Sequence, residues 1–435
     1  MHVAHFVFLA FSLSTGLLFA AEPSPTFHRD VEPILQRKCQ SCHRPGEAAP
    51  FALLSYDQTR PWAKAIRNAV IQRKMPPWHA DPHVGKFVND RSLTEVESKA
   101  IVAWVDGGAP RGNAQDAPRS VAWPQGWTIG RPDAVFEMPD YEVPASGILE
   151  YQWVKIPTGF TEDKWVQAVE CRPGDAARPV VHHIAAVWRR PDSPWMKDLA
   201  PGTFVAKGPS GGELGMSDGL LAGYVPGMPG SVFPAGKAML LPAGADILLQ
   251  IHYTTNGKPV KDRSKVALVF AKEPPAEAIL NVAIANGRLR IPPGDPNHRV
   301  DAAVTFNTPV KLLALNPHMH LRGKAFAVQA TLPDNTTQRL LNVPRYDFNW
   351  QTTYETGEIA LPEGTRLEAS AWFDNSPNNP WNPDPKAEVT FGDQTTDEMM
   401  VVFTHLAVPR TLNPRQLFRR AADSYDRPAS VVAAR

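Results

Sequence analysis

The chain has 435 residues, too many for one ordinary hydrophobic core, and so predicts two or three domains. A formal charge of +1 provides no basic field, which excludes a nucleic-acid partner. Forty-four prolines stand against 29 glycines, and helical periodicity is scarce beyond about residue 110. That mixture favours short strands joined by turns, while the apolar content excludes disorder.

Residues 6–20 form an apolar run closing on small residues, and predict a secretory signal over 1–21 cleaved near Ala20 or Ala21. No Lys or Arg precedes the run, so an uncleaved anchor is the alternative. No other stretch is long and apolar enough to cross a membrane. The expected location is therefore the periplasm, or more generally outside the cytoplasm.

Residues 26–113 read as short helices joined by loops. Val31–Lys38 carries apolar residues at Val31, Ile34 and Leu35, and Ala63–Arg73 repeats the pattern with Ile66, Val70 and Ile71. Leu93–Val105 does so again, with Ser92 or Thr94 as its cap, and ends at Gly107-Gly108 before Pro110. The first helix leads into Cys39-Gln40-Ser41-Cys42-His43, the spelling of a covalent haem c site. Cys39 and Cys42 would form the thioether bonds and His43 would be an axial ligand. Met75, in Lys-Met-Pro-Pro-Trp, is the expected second ligand, with His79 and His83 as competitors. Met/His ligation raises the potential of a haem, as an electron carrier requires. A redox dithiol or a zinc pair has the same spelling. The segment resembles the single-haem cytochrome c modules fused to bacterial periplasmic enzymes. Cys171 is the third and last cysteine, expected to be buried and inert. Residues 114–132, rich in Pro, Gly, Ala and Arg, read as a linker.

Beyond the linker come strand-like segments separated by turn residues: Tyr151–Pro157, Trp165–Val169, Val180–Trp188, Ile247–Thr254, Val266–Phe270, Val310–Asn316, Phe326–Leu332, Arg366–Phe373 and Met399–Leu406. Antiparallel sandwiches fit this pattern better than βαβ units. The strands carry two sets of soft or borderline donors: His182, His183 and His252, then His318, His320 and Met399. A thioether beside imidazoles points toward copper, because soft sulfur favours Cu(I). Residues two apart share a strand face, so His318 and His320 can converge on one ion. Adjacent His182 and His183 would face opposite ways on a regular strand. They can share an ion only at a bulge or strand end, or with one of them outside the ligand set. A single strand histidine such as His252 is by itself an ordinary core or rim residue.

Residues of about 133–410 resemble the copper type II, ascorbate-dependent monooxygenases, the family of the peptidylglycine alpha-hydroxylating and dopamine beta-monooxygenases. The resemblance is carried by His182-His183-Ile184, Ala222-Gly223-Tyr224-Val225-Pro226-Gly227 and Leu249-Gln250-Ile251-His252-Tyr253. It continues through His318-Met319-His320-Leu321-Arg322-Gly323-Lys324 and Thr396-Asp397-Glu398-Met399. It implies two all-β, jelly-roll-like sandwiches facing a solvent cleft, over 133–285 and 286–410, with a tail at 411–435. It also implies two copper ions: an electron-transfer copper on His182, His183 and His252, and an oxygen-activating copper on His318, His320 and Met399. The family's Glu-Met register selects Met399 over Met400. Two departures bear on substrate: Asn316 and Phe403 stand where the peptide-hydroxylating enzyme has an arginine and a tyrosine that hold a carboxylate.

Together these expectations describe a small all-α cytochrome c domain followed by two antiparallel sandwiches. The function they imply is a monooxygenase that hydroxylates a C–H bond with O2. Its substrate, a small molecule or peptide, is unidentified. One-electron delivery through the haem would replace ascorbate, fed by an upstream donor. The alternatives are a copper- and haem-binding electron-transfer or sensor protein without oxygenase activity, a zinc hydrolase, and a carbohydrate-binding sandwich with incidental histidines.

Overall fold

The computed structural model describes residues 24–206 and 219–420. The expected signal segment at 1–21 lies outside the described residues, as does the end of the expected tail. Among the described residues no helix is long and apolar enough to cross a membrane.

Among the described residues α-helices are confined to the first part of the chain. A single π turn over Phe27–Val31 runs into α1 (Glu32–Lys38), and α2 (Ala63–Ile71) and α3 (Glu95–Asp106) follow. Thr94 is the cap of α3: its hydroxyl accepts the Glu97 N–H while Glu97 reaches back to the Thr94 N–H, so two otherwise unpaired donors are satisfied. Phe27, Val31, Leu35, Leu53, Val70, Ile101 and Trp104 bury together as the core of this unit.

The rest is antiparallel sheet with one exception. The principal strands are β1 (Ala134–Glu137), β2 (Gln152–Pro157), β3 (Lys164–Arg172), β4 (Val181–Arg189), β5 (Gly219–Tyr224), β6 (Lys237–Leu241), β7 (Asp246–Tyr253) and β8 (Lys265–Phe270). They continue as β9 (Glu277–Ala285), β10 (His298–Phe306), β11 (Val310–His318), β12 (Gly323–Thr331), β13 (Thr337–Val343), β14 (Tyr354–Leu361), β15 (Arg366–Phe373) and β16 (Val401–Pro409). One large sheet runs β1-β8-β3-β6-β9-β16-β11-β14. It passes from the first half of the chain to the second through the parallel β6/β9 pair.

A sheet centred on β2-β7-β4-β5 covers the first half, burying Ile184, Ala186, Trp188, Ile247, Leu249 and Ile251 against Val166, Val169, Val266 and Leu268. A sheet ordered β13-β12-β15-β10 covers the second half, packing Val304, Phe326, Val328, Leu367 and Phe373 against Val282, Leu312, Val402 and Leu406. Strand β9, read from sequence with the first sandwich, pairs along its length with β16 and sends Val282 and Ile284 into the second core. The start of the segment read as a tail is also packed: Leu417 is buried, and Phe418 to Arg420 pair with β10.

Because side chains alternate along a strand, β9, β16 and β11 bury one row and turn the other outward. Asn281, Phe403, His405, Asn316 and His318 thus line a pocket whose other wall is β4, β5 and β7.

Candidate metal centre

The first histidine set depends on a bulge. Register between β4 and β7 pairs His252 with His183 and then Tyr253 with Val181, so His182 is the extra residue. The bulge turns both adjacent imidazoles to the same side, with their Nδ1 atoms 3.2 Å apart. His252 completes the set: all three side chains offer a ring nitrogen, mutually within 4.8 Å. Among the described residues this is the one group of three imidazole, thiol or carboxylate side chains close enough to hold an ion. His182 Nε2 and His252 Nδ1 are buried without hydrogen-bond partners. Burial and the neighbouring imidazoles push the titration of His183 well down, and burial lowers that of His252 to about 3. Neutral imidazoles are what a metal needs.

The second set sits at the end of β11. His318 Nδ1 lies 2.8 Å from Gln351 Oε1, and His320 Nδ1 lies 3.2 Å from the Asp397 carbonyl. Both partners are acceptors, so each Nδ1 carries the proton and each Nε2 presents a lone pair. Those Nε2 atoms face one another at 3.3 Å. Two lone pairs so close repel unless a cation or a proton lies between them. Two ligand bonds of about 2.0 Å at a tetrahedral angle would produce that separation.

Met399 lines the same pocket from the turn before β16, whereas Met400 is fully buried in the second core. The turn is held from below by Glu398, a fully buried carboxylate that accepts the N–H groups of His320 at 2.8 Å and Arg322 at 2.6 Å. Arg322 in turn reaches the Thr396 carbonyl and Asn375 Oδ1, each at 2.9 Å. Through Asn375 the proline-rich loop over 375–385 braces the turn that carries Met399, and no residue of that loop lines the pocket.

His183 of the first set lines the same pocket as His318, His320 and Met399 of the second. The pocket is open to solvent, and with its mouth included its empty space is about 870 Å³. Phe348 lies between the sets, stacked on His182 at 4.8 Å and edge-on to His320 at 6.0 Å. Tyr151 packs on His252 at 4.6 Å and donates to or accepts from Thr395 in the turn before Met399, at 3.0 Å. Asn316 spends its amide on the Gln351 carbonyl and Thr353, so it holds the strand that orients His318.

Phe348, Gln351 and His405 have no metal-ligand spacing, and the sequence singled out none of them for the site; Gln250 and Glu398 fall inside the motifs that carry the resemblance, with no supporting role expected of them. Gln351 and Glu398 act on ligands across 33 and 78 residues of chain, a separation that no local pattern encodes.

The Cys39–His43 turn caps α1, with the His43 N–H bonded to the Cys39 carbonyl. The two thiols are free of each other, and burial pushes that of Cys39 up to about 12. His43 Nδ1 is 3.2 Å from the Phe51 carbonyl, which fixes the ring and leaves the lone pair on Nε2. Two free thiols and one oriented imidazole are the donor set that a covalent haem requires. Met75 follows α2, half-buried, its N–H bonded to the Ala69 carbonyl.

The turn is docked on the sandwiches. Cys42 Sγ lies 3.8 Å from the Gly227 carbonyl, and a Cβ on Gly227 would come within 2.6 Å of that sulfur. Val225 and Met228, which flank Pro226-Gly227, line the pocket that His183, His318 and His320 also line. Cys171 is buried in the first core, which pushes its thiol up.

A scan of protein-family profiles and a search of curated proteins found no match to this chain.

Proposed function

We propose that the protein is a copper-dependent monooxygenase that hydroxylates a C–H bond with O2, supplied with electrons by a covalent haem c on an N-terminal cytochrome-like unit. The observation that carries this reading is the paired Nε2 atoms of His318 and His320. They are 3.3 Å apart with both Nδ1 atoms tied back, in one pocket with Met399 and with His183 of the three-imidazole set. Two imidazoles and a thioether suit copper better than zinc.

Copper at the second set would supply dioxygen activation and copper at the first would supply an electron, with haem c as a one-electron carrier. The chain's own groups do the rest. Gln351 and the Asp397 carbonyl hold the imidazoles in the tautomer that points Nε2 inward. Glu398 fixes the backbone that carries His320 and Met399. Phe348 and Tyr151 fill the space around the first set and limit water there. Asn316 and Phe403 provide no cation for a substrate carboxylate, which argues against a glycine-extended peptide.

Stopped-flow absorbance tests the reading. Reduced, copper-loaded protein mixed with O2 and a screen of small C–H substrates is expected to show haem oxidation that requires copper and yields hydroxylated product. Haem that stays reduced during copper-dependent turnover would remove the relay. Copper binding without product from any substrate would favour an electron-transfer protein.

A further inference from the structure

The ligand residues occupy only one end of the pocket. The lining continues along β16 from Phe403 to His405, and across to Asn281, which is paired with His405 in register on β9. On the facing wall β7 presents Gln250, two residues before His252 and 2% exposed. Asn281 Oδ1 and Gln250 Nε2 are both buried without a hydrogen-bond partner. Desolvated amide atoms are normally paired, and an unpaired acceptor and an unpaired donor lining one pocket mark a place where a ligand completes the bonding. Among the described residues no lysine or arginine lines the pocket, and Asp393 is the one carboxylate that does. His405 packs edge-on to Phe233, and burial lowers its titration to about 4, so it meets a ligand as a neutral imidazole.

We propose that Asn281 and His405, faced by Gln250, form a specificity subsite for a neutral carboxamide on the substrate. The group offers an N–H to Asn281 Oδ1 and a carbonyl oxygen to Gln250 Nε2. This rests on the monooxygenase reading, in that it takes the pocket as the substrate site. His318 is opposite Val401 and His405 lies four residues further along β16, roughly 13 Å at the rise of a strand. The substrate is therefore a small molecule, with its oxidised C–H at the His318 end and its amide at the other.

Titration calorimetry on the full chain, with and without copper, compares phenylacetamide, phenylacetate and 2-phenylethylamine. Phenylacetamide is expected to bind about tenfold or more tightly than either charged analogue. Asn281→Leu should weaken it about tenfold with copper content unchanged, and Asn281→Asp should shift the preference to the amine. Tighter binding of the acid or of the amine (by Asp393), no binding of phenylacetamide, or unaltered binding in Asn281→Leu would overturn the subsite. The amide preference is read without copper, so a wild-type protein that takes up no copper contradicts the monooxygenase reading alone.

Discussion

At the scale of single residues, the site is governed by which ring nitrogen carries the proton. Gln351 and the Asp397 carbonyl accept the Nδ1–H of His318 and of His320, which keeps the proton on the outer nitrogens and frees the inner ones. Replacing Gln351 by Leu removes the acceptor that holds His318, and copper affinity at that site should fall by about 10–100-fold. A chelator competition checks this; unchanged affinity would mean that His318 needs no anchor. His405 gives a second prediction, in metal-free protein. Its folded titration lies near 4, below the ordinary histidine value of about 6.5. The unfolded chain therefore takes up the proton first, and the stability linked to His405 is lost as pH falls from about 6.5 toward about 4. His405→Phe should show a smaller drop in Tm between about pH 7.5 and pH 5 than wild type. An equal drop would mean that His405 does not titrate this way.

At the scale of elements, the site is a product of strand irregularity. The even spacing of His318 and His320 made their convergence legible, since residues two apart share a strand face, although β11 ends at His318 and His320 lies just past it. His182 and His183 were ambiguous for the same reason: they can converge only where the register breaks, and the break sits opposite His252 and Tyr253. Arg366–Phe373 coincides with β15, while β1, β5, β6, β9, β10, β13 and β14 were missed. Of these, β10 and β14 carry mixed faces, in His298–Phe306 with Arg299, Asp301 and Thr305 and in Tyr354–Leu361 with Gly357. Partners elsewhere in the chain stabilise them more than local propensity does. The loop after β5 is the other device. Gly227 has φ of +79° and lies against Cys42. Gly227→Ala is expected to cost on the order of 1–2 kcal/mol from backbone strain alone, and more if Cys42 cannot retreat. Its Tm should fall and electron transfer from the Cys39–His43 unit should slow. A variant with wild-type Tm would show that the contact is loose.

At the scale of the whole molecule, the helical unit is fastened to the sheets. Trp78, just past Met75, is buried in the second core and stacks edge-on to Tyr354 at 4.9 Å. The Asp81 and Val88 N–H groups bond to the carbonyls of Asn342 and Glu355. Arg172 of β3 reaches Glu47 beyond the Cys39–His43 turn. The expected linker is also tied down, with Thr128 on Glu170 and Arg44 on the Pro124 carbonyl. None of these contacts has a local sequence signal, because each joins residues far apart in the chain. Their effect is to hold the Cys39–His43 turn against the loop that lines the pocket, the arrangement that a fused electron donor needs.

Two separate copper sites in one chain are what elemental analysis of the purified, copper-reconstituted protein would count. Two coppers per chain are predicted for the wild type. One is predicted for His183→Ala and one for His320→Ala, with haem content unchanged in both. A wild type that holds zinc or no metal, or a single substitution that empties both sites together, would contradict the account.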